Sequence, residues 1–126
     1  MQHGQAALPF FLGHADELGA GAGVGFNLNL PLPRGTGFEA WCAALDTAID
    51  AIDNFNADAL VVPMGLDTFV GDPISGFTRK SEDYDTVGRP LAAAGVPTVF
   101  TFEGGYAVAE VGVNAVNLLE GFCRSI

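Results

Sequence analysis

A chain of 126 residues and 13.0 kDa has room for one domain with a real core, and is short for a self-sufficient α/β hydrolase. With 49% hydrophobic and 16% charged residues and a mean hydropathy of +0.33, it is more apolar than a soluble domain of this size needs, so some apolar surface is expected to need a partner. The 5 Lys and Arg against 15 Asp and Glu, a net charge of −10, weigh against nucleic acid, whose affinity for proteins is dominated by phosphate neutralisation; an acidic surface suits cationic small molecules or simply solubility.

Residues 1–25 are rich in Gly and Ala and read as a long loop packed by Phe10 and Phe11, with Phe26 just beyond. Met1-Gln2-His3-Gly4 lacks the charged start and apolar core of a secretory signal, and no apolar run approaches the roughly 20 residues that span a bilayer, so a cytoplasmic protein with no membrane partner is expected. Asn27 to Leu32 alternates polar and apolar residues, a strand that Pro31 confines to an edge or an end. Thr36 and Glu39 have capping-box spacing, and Phe38, Trp41, Cys42, Leu45, Ile49 and Ile52 then repeat at helical spacing, which predicts a helix over 37–55. Asp46, Asp50 and Asp53 share its other face, which reads as a solvated face rather than a metal cluster.

The continuous apolar run Ala59 to Met64 predicts a strand buried on both faces of a parallel sheet. A second helix is expected from Ser81, as cap, to Ala94, with Glu82 and Asp83 in its first turn, Gly95 as terminator and Pro90 kinking or shortening it. Val96 to Phe102 predicts another strand and Ala107 to Cys123 a third helix. Cys42 and Cys123 are too few and too isolated for a disulfide framework or a cysteine zinc site, and read as core thiols. Alternating strands and helices imply an α/β fold, a small, mostly parallel sheet of about three strands flanked by helices, with ligands beyond the carboxyl ends of the strands.

Two loops leave those ends: Gly65-Leu66-Asp67-Thr68-Phe69-Val70-Gly71-Asp72-Pro73 and Glu103-Gly104-Gly105-Tyr106. The first places an aspartate at the ligand crevice, and the second uses two glycines to turn sharply and present Tyr106. On these grounds alone Asp67 serves equally well as a turn or helix cap, and Tyr106 as a half-buried packing residue.

These two motifs, in this order and spacing, resemble the C-terminal signature of the deacetylase family, in its acetylpolyamine amidohydrolase branch. Pro9-Phe10-Phe11-Leu12-Gly13-His14-Ala15-Asp16-Glu17, Gly21-Ala22-Gly23 and Asn27 through Pro33 resemble the same branch, so the similarity covers nearly the whole chain. The resemblance implies that residues 1–126 form a single domain corresponding to the C-terminal third of a deacetylase domain, a partial arginase/deacetylase-type fold. It implies zinc-dependent hydrolysis of an acetylated polyamine or similar acylated amine. In that family two aspartates and a histidine hold the zinc, a histidine pair manages protons, and a tyrosine stabilises the oxyanion. By the same resemblance Asp67 is the second zinc aspartate, Tyr106 the oxyanion tyrosine, Phe11 a wall of the acyl tunnel, and Gly104 and Gly105 part of the substrate-binding surface.

The family's Asp-x-His ligand motif and His-His dyad would both precede residue 1. His3-Gly4 resembles the end of the strand after the ligand strand, and His14 a loop position without catalytic duty. The isolated chain is therefore expected to hold zinc weakly or not at all and to show little or no hydrolysis. The missing ligand strand would leave open edges on the strands of Val61 and Val99, which favours a homodimer or higher oligomer, or pairing with a complementing N-terminal deacetylase piece. A split deacetylase, a non-catalytic self-associating module derived from the deacetylase fold and a gene fragment without selected function are the three readings that follow.

Overall fold

In a computed structural model of the chain, residues 2–3 and 12–126 are described, the first two as backbone only. The elements in chain order are β1 (Gln2–His3), β2 (Pro31–Leu32), α1 (Phe38–Phe55), β3 (Leu60–Met64), α2 (Asp83–Ala93), β4 (Thr98–Phe102) and α3 (Val111–Cys123), with a single 3₁₀ turn at Gly21–Gly23. Among the described residues the strands form two parallel pairs rather than the one sheet of about three strands that the sequence suggested. β1 lies beside β2, and β3 lies beside β4 with Val61 opposite Val99 and Met64 opposite Phe102. Of the expected strand over 27–32 only Pro31–Leu32 is strand; before it the Asn27 and Asn29 side-chain amides donate to the Glu17 and His14 carbonyls of the preceding loop.

The helical periodicity holds: Trp41, Ala44 and Leu45 of α1 are buried, and Asp46, Asp50 and Asp53 are exposed. The cap chemistry does not. Thr36 Oγ1 donates to the Pro33 carbonyl 2.6 Å away, closing its own local turn, so Gly37 becomes the N-cap without a side-chain bond. In the same way Asp83 accepts the Lys80 N–H at 2.7 Å, and α2 starts two residues after Ser81. Pro90 leaves α2 continuous to Ala93, and Gly95 follows at φ 67° as the left-handed terminator.

α2 and α3 pack backbone to backbone. A Cβ at Gly88 would lie 2.6 Å from the Phe122 nitrogen, and one at Gly121 would lie 2.8 Å from the Asp85 carbonyl carbon. Cys42 packs against the core as a partly buried thiol. Cys123 does not: it is exposed, because it follows Gly121, which faces α2, by two residues, about 200° around the helix. The core joins Trp41 and Leu45 of α1, Met64 and Leu66, Phe77, Tyr84, Val87 and Leu91 of α2, and Ala115 and Leu118 of α3.

Val62 and Phe100 point from the β3–β4 pair into this core, where Phe100 meets Phe122 edge to face at 5.0 Å. The opposite face is bare, with Val61 63% and Val99 58% exposed. The expectation of a strand buried on both faces therefore fails. An apolar run marks residues suited to burial, and the helices of this chain cover only one side of the pair. Among the described residues no helix is long and apolar enough to cross a membrane.

Candidate functional site

The pairing of β3 with β4 continues beyond the strand ends. The Glu103 N–H donates to the Met64 carbonyl at 3.1 Å and the Leu66 N–H to the Gly104 carbonyl at 2.7 Å, so the two loops predicted to carry function leave the sheet side by side. Leu66 is almost wholly buried and anchors the first of them. Its carbonyl accepts the Phe69 N–H at 3.3 Å, closing a turn with Asp67 and Thr68 at its corners. Asp67 is thus a turn residue at the carboxyl end of a parallel strand, and the N-caps of α1, α2 and α3 are Gly37, Glu82 and Glu110.

The turn is held from below by Tyr84, which is fully buried on α2. Its hydroxyl donates to the Leu66 carbonyl at 3.0 Å and shares a hydrogen bond with Thr68 Oγ1 at 3.1 Å, fixing the chain on both sides of Asp67. Burial pushes the Tyr84 phenol up from its ordinary value, which keeps it a proton donor. Beneath it lies the buried Arg79, whose guanidinium sits 3.4 Å from the Trp41 ring centroid and 5.0 Å from that of Tyr84. Burial pushes this guanidinium down to about 10. Tyr84→Phe would leave the buried Leu66 carbonyl with the Phe69 N–H alone and take a partner from the Thr68 hydroxyl, and is expected to cost about 1 kcal/mol in urea unfolding. An unchanged midpoint would show that the clamp does not matter.

The second loop is shaped by the first. A Cβ at Gly104 would collide with the Asp67 carboxylate, so a glycine there is what lets the loop backbone lie against that carboxylate. Gly105 has φ 151°, and a Cβ on it would lie 3.0 Å from Val111 Cγ2 and 3.1 Å from Leu66 Cβ. Tyr106 follows, 55% exposed. Its N–H donates at 2.6 Å to Asp72 Oδ2, a carboxylate only 6% exposed that reaches across from the first loop. In the sequence Asp72 carries no mark of this contact. Its local signal, an aspartate followed by proline in a polar loop, reads as a turn former, and its Oδ1 does accept the Ile74 N–H at 3.1 Å.

The structure therefore brings together Asp67, Gly104, Gly105 and Tyr106, and Phe11 lies outside the described residues. His14 sits in a loop organised by Glu17, whose carboxylate accepts the Gly13 and His14 N–H groups at 2.6 and 3.0 Å. Among the described residues no group of three or more His, Cys, Asp or Glu could hold a metal ion, so Asp67 offers one hard oxygen donor and the described residues do not by themselves fit a zinc centre. A cleft of about 770 Å³ between Gly25–Leu30, α1 and Leu60 lies at the amino end of β3, away from Asp67.

Comparison with known proteins places these residues in context. The sequence profile of the histone deacetylase domain matches residues 1–122. Acetylpolyamine amidohydrolase 1 of Pseudomonas aeruginosa is 52% identical over 114 residues, which is 90% of this chain and 33% of that protein. The acetylpolyamine amidohydrolase of Mycoplana ramosa is 49% identical over 121 residues, 94% of this chain and 36% of its own length. The crystal structure of an acetylpolyamine aminohydrolase from Burkholderia pseudomallei superposes with a TM-score of 0.94 at 34% identity, covering 98% of this chain and 36% of that one. The chain spans about a third of the length of the curated relatives it matches.

Proposed function

Since this chain belongs to the histone deacetylase domain family, we propose that it supplies the C-terminal part of a hydrolytic site for acetylated amines, with an acetylated polyamine as the substrate class. The observation that supports this reading most directly is the hydrogen-bonded pairing of the two loops, which sets the Asp67 carboxylate against the Gly104 backbone and Tyr106 two residues further on. In this reading the Tyr106 hydroxyl donates to the amide oxygen as negative charge builds on it, a contact worth most in the transition state. Asp67 would supply one carboxylate to a zinc whose other ligands come from outside the described residues, and such a zinc would polarise the acetamide carbonyl. Gly104 and Gly105 let the loop that presents Tyr106 to the substrate lie against Asp67 and Leu66, and Phe11 would supply a wall of the acyl tunnel, as the family resemblance implies. The isolated chain is proposed to hold zinc only weakly, since a single carboxylate is a poor site. Mixing it with the N-terminal two-thirds of a relative and measuring acetate release from an N-acetylated diamine tests the reading.

A second reading, self-association, is favoured by the bare sheet face of Val61 and Val99, on which the paired Pro63 and Thr101 are also exposed. Parallel sheets are ordinarily covered on both sides, and a second copy is one way to cover this one. Light scattering at micromolar concentration is expected to give a multiple of 13.0 kDa. Val61→Asp should shift that mass toward the monomer. A monodisperse monomer from the unsubstituted chain would rule out association.

A further inference from the structure

We propose that Asp72 is the positioning residue for Tyr106, an inference that rests on the role given to Tyr106 above. Asp72 belongs to the first loop by sequence and to the second by its bonds. Its N–H donates to the Phe69 carbonyl at 3.0 Å, and its Oδ1 accepts the Ile74 N–H at 3.1 Å, which together fix the carboxylate on the turn that follows Asp67. Its Oδ2 accepts two successive N–H groups from the other loop, Tyr106 at 2.6 Å and Ala107 at 3.1 Å. A carboxylate that is 6% exposed and takes three backbone N–H donors is a strong anchor, because hydrogen bonds to an ionised acceptor are roughly twice as strong as neutral ones.

The anchor matters because the ring it controls is otherwise open to solvent. Tyr106 is 55% exposed, so the position of its hydroxyl is set chiefly by where its Cα is held. Gly105 before it favours no single backbone conformation, and the turn from Ala107 to Glu110 begins just after it. Between these two segments the Asp72 carboxylate fixes the peptide groups at Tyr106 and Ala107. It also ties Tyr106 to the loop that carries Asp67, so that both site residues move as one unit. Misplacing a catalytic group by about 1 Å can cost on the order of 100-fold in rate.

Asp72→Asn keeps the volume and removes the charge; with its amide oxygen in the Oδ2 position it retains only neutral bonds to Tyr106 and Ala107, about half as strong, and sets an N–H against that of Ile74, which loosens the turn that holds it. In the domain reassembled with the N-terminal two-thirds of a relative, the variant is expected to lower kcat by about 10- to 100-fold with KM and zinc content unchanged. In a Tyr106→Phe background the same change should cost less than about two-fold, since a residue acting through Tyr106 has nothing left to position. In the isolated chain the Tyr106 and Ala107 amides should lose about ten-fold in hydrogen-exchange protection while the amides of α1 keep theirs. Full additivity with Tyr106→Phe, or unchanged protection of both amides, would overturn the proposal. A reassembled domain in which Tyr106→Phe has no effect would instead sink the functional reading, and the exchange measurement would still decide whether Asp72 holds the loop. Circular dichroism checks that Asp72→Asn folds; should it not, Asp72→Glu, which keeps the charge, replaces it in both assays.

Discussion

Asp67→Ala and Tyr106→Phe are both expected to abolish or nearly abolish acetate release in the reassembled domain, and to do so for different reasons. Asp67 lies on the turn clamped by Tyr84 and against Gly104, with its carboxylate at the carboxyl end of β3. In the proposed role its loss removes a metal donor, so zinc content should fall together with activity. Tyr106→Phe removes one hydroxyl from an exposed ring and leaves the backbone bond to Asp72 in place, so zinc should stay and kcat should fall by about 10²–10³-fold. If Tyr106→Phe released the metal, or if Asp67→Ala kept it, the roles assigned to these two residues would be wrong.

The largest effect on stability is expected where α2 meets α3. By helix propensity alone, Gly88→Ala and Gly121→Ala should each stabilise the chain by up to about 1 kcal/mol. Packing reverses the sign. The added methyl at Gly88 meets the Leu118 carbonyl and the Phe122 nitrogen, and at Gly121 the Asp85 backbone, none of which can swing aside as a side chain can. Overpacking of this kind costs about 1–3 kcal/mol and more where backbone must move, so each variant should lose at least about 2 kcal/mol net. Gly112 is the internal control, since a Cβ there meets nothing within 4 Å, and Gly112→Ala should raise the urea midpoint. A midpoint raised by all three substitutions would mean that the two helices are not in backbone contact.

How much of this could be read beforehand follows from the range of each interaction. The register of α1 was legible because burial of Trp41 and Leu45 imposes a 3.6-residue period on adjacent sequence. The caps of α1 and α2 were not, because Thr36 had a second local partner in the Pro33 carbonyl, and at the start of α2 it is Asp83, accepting the Lys80 N–H, and not Ser81 that supplies the side-chain bond. For the candidate site, the two loops at the strand ends were legible, since strand ends and paired glycines leave local marks. The Asp72 contact to Tyr106 joins residues 34 apart, and nothing in either segment records the other. The bare face of β3 and β4 was equally hidden, since Val61 and Val99 look the same in sequence whether or not anything covers them.

Acetate release and bound zinc, measured together on the 126-residue chain alone, on the N-terminal two-thirds of a relative alone and on their mixture, test the central claim most directly. The account predicts no hydrolysis of an N-acetylated diamine by either piece, and metal-dependent hydrolysis with retained zinc by the mixture. Metal-dependent turnover by the isolated chain, abolished by Asp67→Ala, would contradict it, as would a mixture that forms a stable complex, retains zinc and releases no acetate.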